Sequence, residues 1–181
     1  GARRGGDRPP PGGPDYAPWT DPVARIAGQP RAVAALRAAV ARPVHAYLFV
    51  GPAGAGKRAA AAAFAAALLD DRRAMRGVHP DVIVVEREGA SISVAQAREV
   101  TRVALRSPIE GDRKVIVLTD FHLVDEAAPA LLKTIEEAPP STVFVIVAEM
   151  ITRELVTVAS RCVTVEFSAL ADADVAAALV A

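Results

Sequence analysis

The apolar run Ala46–Val50 leads straight into Gly51-Pro-Ala-Gly-Ala-Gly-Lys57-Arg58, and an alanine-rich segment, Lys57–Leu69, follows. A strand that breaks into glycines and restarts as a helix narrows the possible folds sharply. Gly51, Gly56 and Lys57 satisfy the phosphate-binding pattern G-x-x-x-x-G-K, whose next residue is Ser or Thr. The spacing has a physical basis. Glycines let backbone N–H groups turn inward around phosphate oxygens. The helix that follows directs its positive end at the same point, and the lysine adds a charge. Gly51, Gly54, Ala55, Gly56, Lys57 and Arg58 are therefore the candidate phosphate-binding residues. The hydroxyl that normally holds Mg²⁺ is replaced by Arg58. A guanidinium cannot ligate a cation and repels one if it turns inward; on the outer helix face it is an ordinary solvated residue. Either way the loop can cradle a phosphate but lacks a ligand that hydrolysis uses.

The rest of the chain alternates strands and helices. The spacing predicts a helix over 21–42, interrupted near Gly28-Gln29-Pro30, with Val23, Ile26, Val33, Leu36 and Val40 on its buried face. Further helices are expected over 94–106, 125–136 and 152–159, and strands at Val82–Val85, Lys114–Leu118, 143–148 and 162–165. The strands are short, rich in β-branched residues and free of polar interruptions, as in a parallel sheet covered on both faces. Five strands with helical crossovers predict a three-layer α/β/α sandwich, with ligands beyond the carboxyl ends of the strands. The chain divides into a Gly-, Pro- and Arg-rich segment over 1–20, expected to be disordered, a core over 21–168, and a helical start of something further over 169–181. Arg3, Arg4 and Arg8 in the first segment read either as a solvated tail or as a nucleic-acid contact.

Composition removes several classes. The 181 residues suffice for one sizeable core. The 21 basic and 21 acidic residues cancel, so net charge points to neither nucleic acid nor membrane. Aromatic residues, at 4%, are too few for a base-stacking platform. The longest apolar run, 59–69, is about half of the ~20 residues a membrane span needs. Cys162 is the single cysteine, which excludes an intrachain disulfide and fits a reducing cytoplasm. At the end of the strand Lys114–Leu118, Asp120 is the carboxylate placed to hold a metal or polarise water; the other reading is a strand-end cap.

The segment Ala127-Ala-Pro-Ala-Leu-Leu-Lys133-Thr134-Ile-Glu-Glu137-Ala-Pro-Pro140, followed by a strand and then Ser160-Arg161-Cys162, resembles the clamp loader subunits of bacterial DNA polymerase III, members of the AAA+ family. Gly28-Gln29, the P-loop at 51–57 and His79-Pro80-Asp81 extend the resemblance, which covers about Trp19 to Phe167. It implies a P-loop AAA+ core followed by a helical lid. It also implies work within the loader: gamma/tau and delta subunits as partners, and the sliding clamp and primed DNA reached through the assembled complex in the cytoplasm, with no membrane. ATP or ADP is the implied cofactor. Where the family's ATPase subunits end the third strand in Asp-Glu, this chain has Thr119-Asp120, and Ala148-Glu149 falls where a sensor threonine is expected. Together with Arg58 these departures imply a delta-prime-type member with feeble or lost hydrolysis and a doubtful Mg²⁺. The alternative is an ATP-hydrolysing gamma/tau-type subunit. Relatives often carry a four-cysteine zinc module after the P-loop helix; residues 70–78 are too few and lack cysteine, so no zinc is expected. Arg161 matches the arginine that reaches into a neighbour's ATP site; without the resemblance it reads as an ordinary surface arginine.

Overall fold

The computed structural model describes residues 21–180; the 1–20 segment with its arginines, and Ala181, lie outside the described residues. Five parallel strands, β1 (Ala46–Val50), β2 (Val82–Val85), β3 (Lys114–Leu118), β4 (Thr142–Ala148) and β5 (Val163–Glu166), form one sheet in the order β2-β3-β4-β1-β5. The helices are α1 (Pro30–Ala41), α2 (Lys57–Leu69), α3 (Val94–Ala104), α4 (Ala128–Glu137), α5 (Arg153–Ala159) and α6 (Asp172–Val180). Alternate residues of each strand point to opposite faces, and each face carries its own core. Tyr47, Phe49, Val115 and Val145 pack with Leu36 of α1 and Phe64 of α2. On the other face Leu48, Ile116, Phe144 and Ile146 pack with Val100 of α3, Leu131 of α4 and Leu155 of α5. The result is the three-layer sandwich expected from the uninterrupted strands. β3 and β4 are buried along their whole length, which explains why they carry no polar residue after their first.

The structure departs most from the expected elements at three places, while bounds of β4, β5 and α5 differ by one residue. The helix predicted over 21–42 is a 3-10 turn, Pro22–Arg25, followed by a separate α1. Gly28 takes φ +65° between them, and Pro30 sits in the first turn of α1, where its missing N–H costs nothing. Val23 and Leu36 are buried as expected, while Ile26, Val33 and Val40 are only partly buried against the same core. Helix α3 stops at Ala104 rather than 106, and side chains from the sheet satisfy carbonyls at and just beyond its end. Lys114 Nζ donates to Val103 O (2.5 Å) and Arg106 O (2.7 Å), and Thr142 Oγ1 donates to Ala104 O (2.8 Å). Helix α4 begins at Ala128 rather than 125, with Pro129 in its first turn. Among the described residues no helix is long and apolar enough to cross a membrane.

Candidate phosphate-binding site

The glycine-rich loop follows the carboxyl end of β1. Gly51 N–H donates to Ala148 O (3.2 Å), and Phe167 N–H donates to Val50 O (2.8 Å). A Cβ on Gly51 would lie 2.3 Å from Phe167 O, so only glycine fits between these strands. Gly54 and Gly56 are left-handed, at φ +76° and +87°, and turn the chain into α2. Ala55 is buried and its carbonyl accepts from Gln29 Nε2 (3.1 Å). Lys57 is also nearly buried, with Nζ folded onto Gly51 O (2.5 Å) and Pro52 O (2.7 Å). Desolvation pushes its pKa down, while Glu149 and Asp120 pull the other way. The loop, Lys57, Arg58, Asp120, His122 and Glu149 enclose a cavity of about 280 Å³.

Arg58 is turned toward this cavity's rim. Its guanidinium donates to Glu86 Oε1 (2.7 Å) and Asp120 Oδ2 (3.2 Å), and Arg87 Nε donates to the same Asp120 oxygen (3.3 Å). Asp120 has left-handed backbone, φ +50°. Thr119 is fully buried and its hydroxyl donates to Val85 O (3.0 Å), back into the sheet. Glu149 lies beside His122: its N–H donates to Nδ1 (3.2 Å), and its carboxylate oxygen Oε2 stands 3.8 Å from Nε2. A hydrolytic Mg²⁺ in such a loop is held by a hydroxyl on the helix and an acid at a strand end. Here the helix position is a cation and the strand-end acid is bonded to it, so these residues do not fit the metal.

Gly56 and Ala59 also line a second, largely apolar cavity of about 230 Å³, walled by Arg25, Ile26, Ala27, Ala60, Ala63, Met75 and Leu170. Sequence reasoning named Gly56 and Ile26 for other reasons and did not point to this cavity; the signal was Gly28-Gln29. Gln29 is buried, gives Nε2 to Ser168 O (2.6 Å) as well as to the loop, and accepts Ser168 N–H at Oε1 (2.9 Å). It ties the phosphate loop to the segment that enters α6. Gly28 is held to glycine by its left-handed backbone, φ +65°, and a Cβ there would also press on the side-chain ends of Leu170 and Asp174 at 2.7–2.9 Å.

Arg161 lies at the other edge of the sheet, between the end of α5 and the start of β5, while the loop follows the last residue of β1. A five-residue strand separates these edges by ~17 Å. The structure therefore does not bring Arg161 to its own loop. Arg161 is 55% exposed and paired with Glu136 of α4. Neighbouring Cys162 is half-buried, and burial pushes its thiol up to about 11.

His79 is structural in its geometry. Its Nδ1 accepts Asp81 N–H (3.0 Å), which leaves the proton on Nε2, facing Asp71 (3.5 Å) and Glu110 (3.9 Å). A protonated Nε2 cannot ligate a metal, and Arg73 already bridges those two carboxylates at 2.8 and 2.5 Å. Asp81 is fully buried. Burial pushes its pKa up, but the N–H groups of Ile109, Glu110 and Gly111 hold the carboxyl below its ordinary value.

A fully parallel sheet in this order, with helices on both faces and a P-loop after an inner strand, defines an AAA+ module. The AAA domain of FIGL-1, solved in complex with ADP, aligns with TM-score 0.55 at 16% identity, over 88% of this chain and 57% of that one. A DNA polymerase III gamma subunit-related protein from Thermotoga maritima aligns with TM-score 0.62 at 19% identity, over 79% of this chain and 47% of that one. The chain belongs to the family described as DNA polymerase III, delta subunit, whose model matches residues 28–171. It is 39% identical over 140 residues to the DNA polymerase III subunit delta′ of Pseudomonas aeruginosa, a match covering 68% of this chain and 43% of the relative. The chain thus spans less than half the length of that curated relative.

Proposed function

We propose that the chain is the AAA+ module of a delta′ subunit in the clamp loader of DNA polymerase III. In this reading it is a ring member that hydrolyses little or no ATP and supplies Arg161 to the ATP site of an adjacent gamma/tau-type subunit. The observation that carries the reading is the bond between Arg58 and Asp120. It joins the two positions that an ATPase would use on metal and water, and the Thr119 hydroxyl is committed to Val85. What survives is binding equipment: the glycine loop, Lys57, and the apolar cavity beside it, which has room for a flat base. ATP or ADP is the ligand this combination suits.

Arg161 supports the second half of the reading. It is exposed, on the edge remote from its own loop, and held by one surface carboxylate that a phosphate can replace. A planar guanidinium engages two phosphoryl oxygens at once. Partners are then the gamma/tau and delta subunits, with the sliding clamp and primed DNA served through the complex in the cytoplasm. The test is Arg161→Ala in a reconstituted loader. Clamp-dependent ATP hydrolysis should fall by about 10³-fold or more if Arg161 acts as an arginine finger, and unchanged hydrolysis and loading would sink the role. Steady hydrolysis by the isolated chain, lost in Lys57→Ala, would instead favour a gamma/tau-type subunit.

A further inference from the structure

We infer that Arg58 is a tethered counter-ion in place of the divalent cation, so that this loop takes a nucleoside di- or triphosphate without Mg²⁺. The inference rests on the reading of the loop as a nucleotide site and adds how that site neutralises its ligand. Lys57, Arg58, Asp120 and Glu149 line one cavity, and Arg58 follows Lys57 directly at the start of α2. The Arg58 guanidinium is 55% exposed and rests on Glu86, 63% exposed, and Asp120. Ion pairs this exposed hold little free energy and exchange readily. A phosphate oxygen pair is the stronger partner for a guanidinium, because both bonds are charge-assisted and parallel.

The arrangement also handles the anion left behind. When Arg58 moves to phosphate, Asp120 keeps Arg87, whose Nε bonds the same oxygen and whose terminal nitrogen is anchored on the Gly89 carbonyl. Asp120 therefore does not become a bare charge facing the ligand. Glu86 returns to solvent. A metal has no comparable place, since its helix ligand is replaced by the guanidinium and the Thr119 hydroxyl points into the sheet.

Calorimetric titration of the purified chain with ADP and with ATP, in EDTA and in excess Mg²⁺, tests this. Equal affinity in the two buffers is expected. Arg58→Thr should bind about tenfold more weakly in EDTA, the loss of one charge-assisted bond, and recover in Mg²⁺ because it restores the hydroxyl and releases Asp120. Adding Asp120→Asn to that variant should remove the recovery. Arg58 is exposed, so these variants should keep the wild-type circular dichroism. Wild-type binding about tenfold tighter in Mg²⁺ would overturn the inference and leave the nucleotide site standing. So would wild-type affinity of Arg58→Thr in EDTA, or its failure to respond to Mg²⁺. No binding of either nucleotide in either buffer would overturn the nucleotide site itself, and this inference with it.

Discussion

Lys57 and Lys114 share nearly every local property. Both are almost buried, both give their amine to two backbone carbonyls at 2.5 and 2.7 Å, and desolvation pushes both pKa values down. The difference lies in what owns the carbonyls. Lys114 closes the end of α3 against the amino edge of the sheet, inside the protein. Lys57 rests on loop carbonyls beside a cavity, at the carboxyl edge, and Pro52 is exposed. Asp81 and Asp120 repeat the contrast. Asp81 accepts three backbone N–H groups and is fully buried, whereas Asp120 accepts two guanidiniums at the rim of the cavity. Polar groups bonded to fixed backbone hold the amino edge together. Polar groups bonded to loop carbonyls or half-exposed side chains can exchange partners, so the carboxyl edge is the one that can receive a ligand.

The sharpest way to break this comparison is to remove both aspartates. Asp81→Ala removes the carboxylate that the N–H groups of Ile109, Glu110 and Gly111 share and should cost about 3 kcal/mol. Asp120→Ala should cost about 1 kcal/mol or less, because its partners are solvated arginines. Urea unfolding of the two variants measures both, and equal losses would end the distinction.

The lysines come next in size. Lys114→Met strips the carbonyls of Val103 and Arg106 and should destabilise by about 2 kcal/mol. Lys57→Met should cost about 1 kcal/mol or less, since water reaches the loop carbonyls in its place, yet abolish ADP binding. Thermal unfolding and an ADP titration on the same samples separate the two roles.

The smallest effect is in acid. The folded-state pKa of Asp81 lies below its unfolded value. Its contribution to stability is therefore complete above about pH 4 and lost as pH falls through the folded-state pKa. Denaturation midpoints followed from neutral pH into that range should fall more steeply in the wild type than in Asp81→Asn. An Asp81→Asn profile with the same acid slope would remove Asp81 from the account.

Much of the fold was legible in the chain itself. β1, β2, β3 and α2 have the bounds read from the apolar runs, since buried parallel strands are continuous apolar segments with glycine, proline or charge at their ends. The partners at the misread ends lie elsewhere in the chain. Helix α3 ends at Ala104, whose carbonyl Pro108 cannot serve because it has no N–H; Thr142, 38 residues away, donates to it instead, and no local pattern names that donor. The phosphate loop was legible by spacing, and so was the missing hydroxyl at Arg58. The partner of Arg58 was not, because Asp120 lies 62 residues on. The same holds for Gln29, whose bond to Ser168 spans 139 residues.

The sequence by itself determined the sandwich, the phosphate cradle and the replacement of its metal-binding hydroxyl, because these follow from local periodicity and from spacing within a single turn. Only the tertiary structure decided that Arg58 and Arg87 converge on Asp120, that the Thr119 hydroxyl is committed to the sheet, and that Arg161 lies across the sheet from its own loop. The physical reason is that electrostatic partnership depends on distance in space, and strand order, which a linear pattern does not encode, sets which charges come within bonding reach.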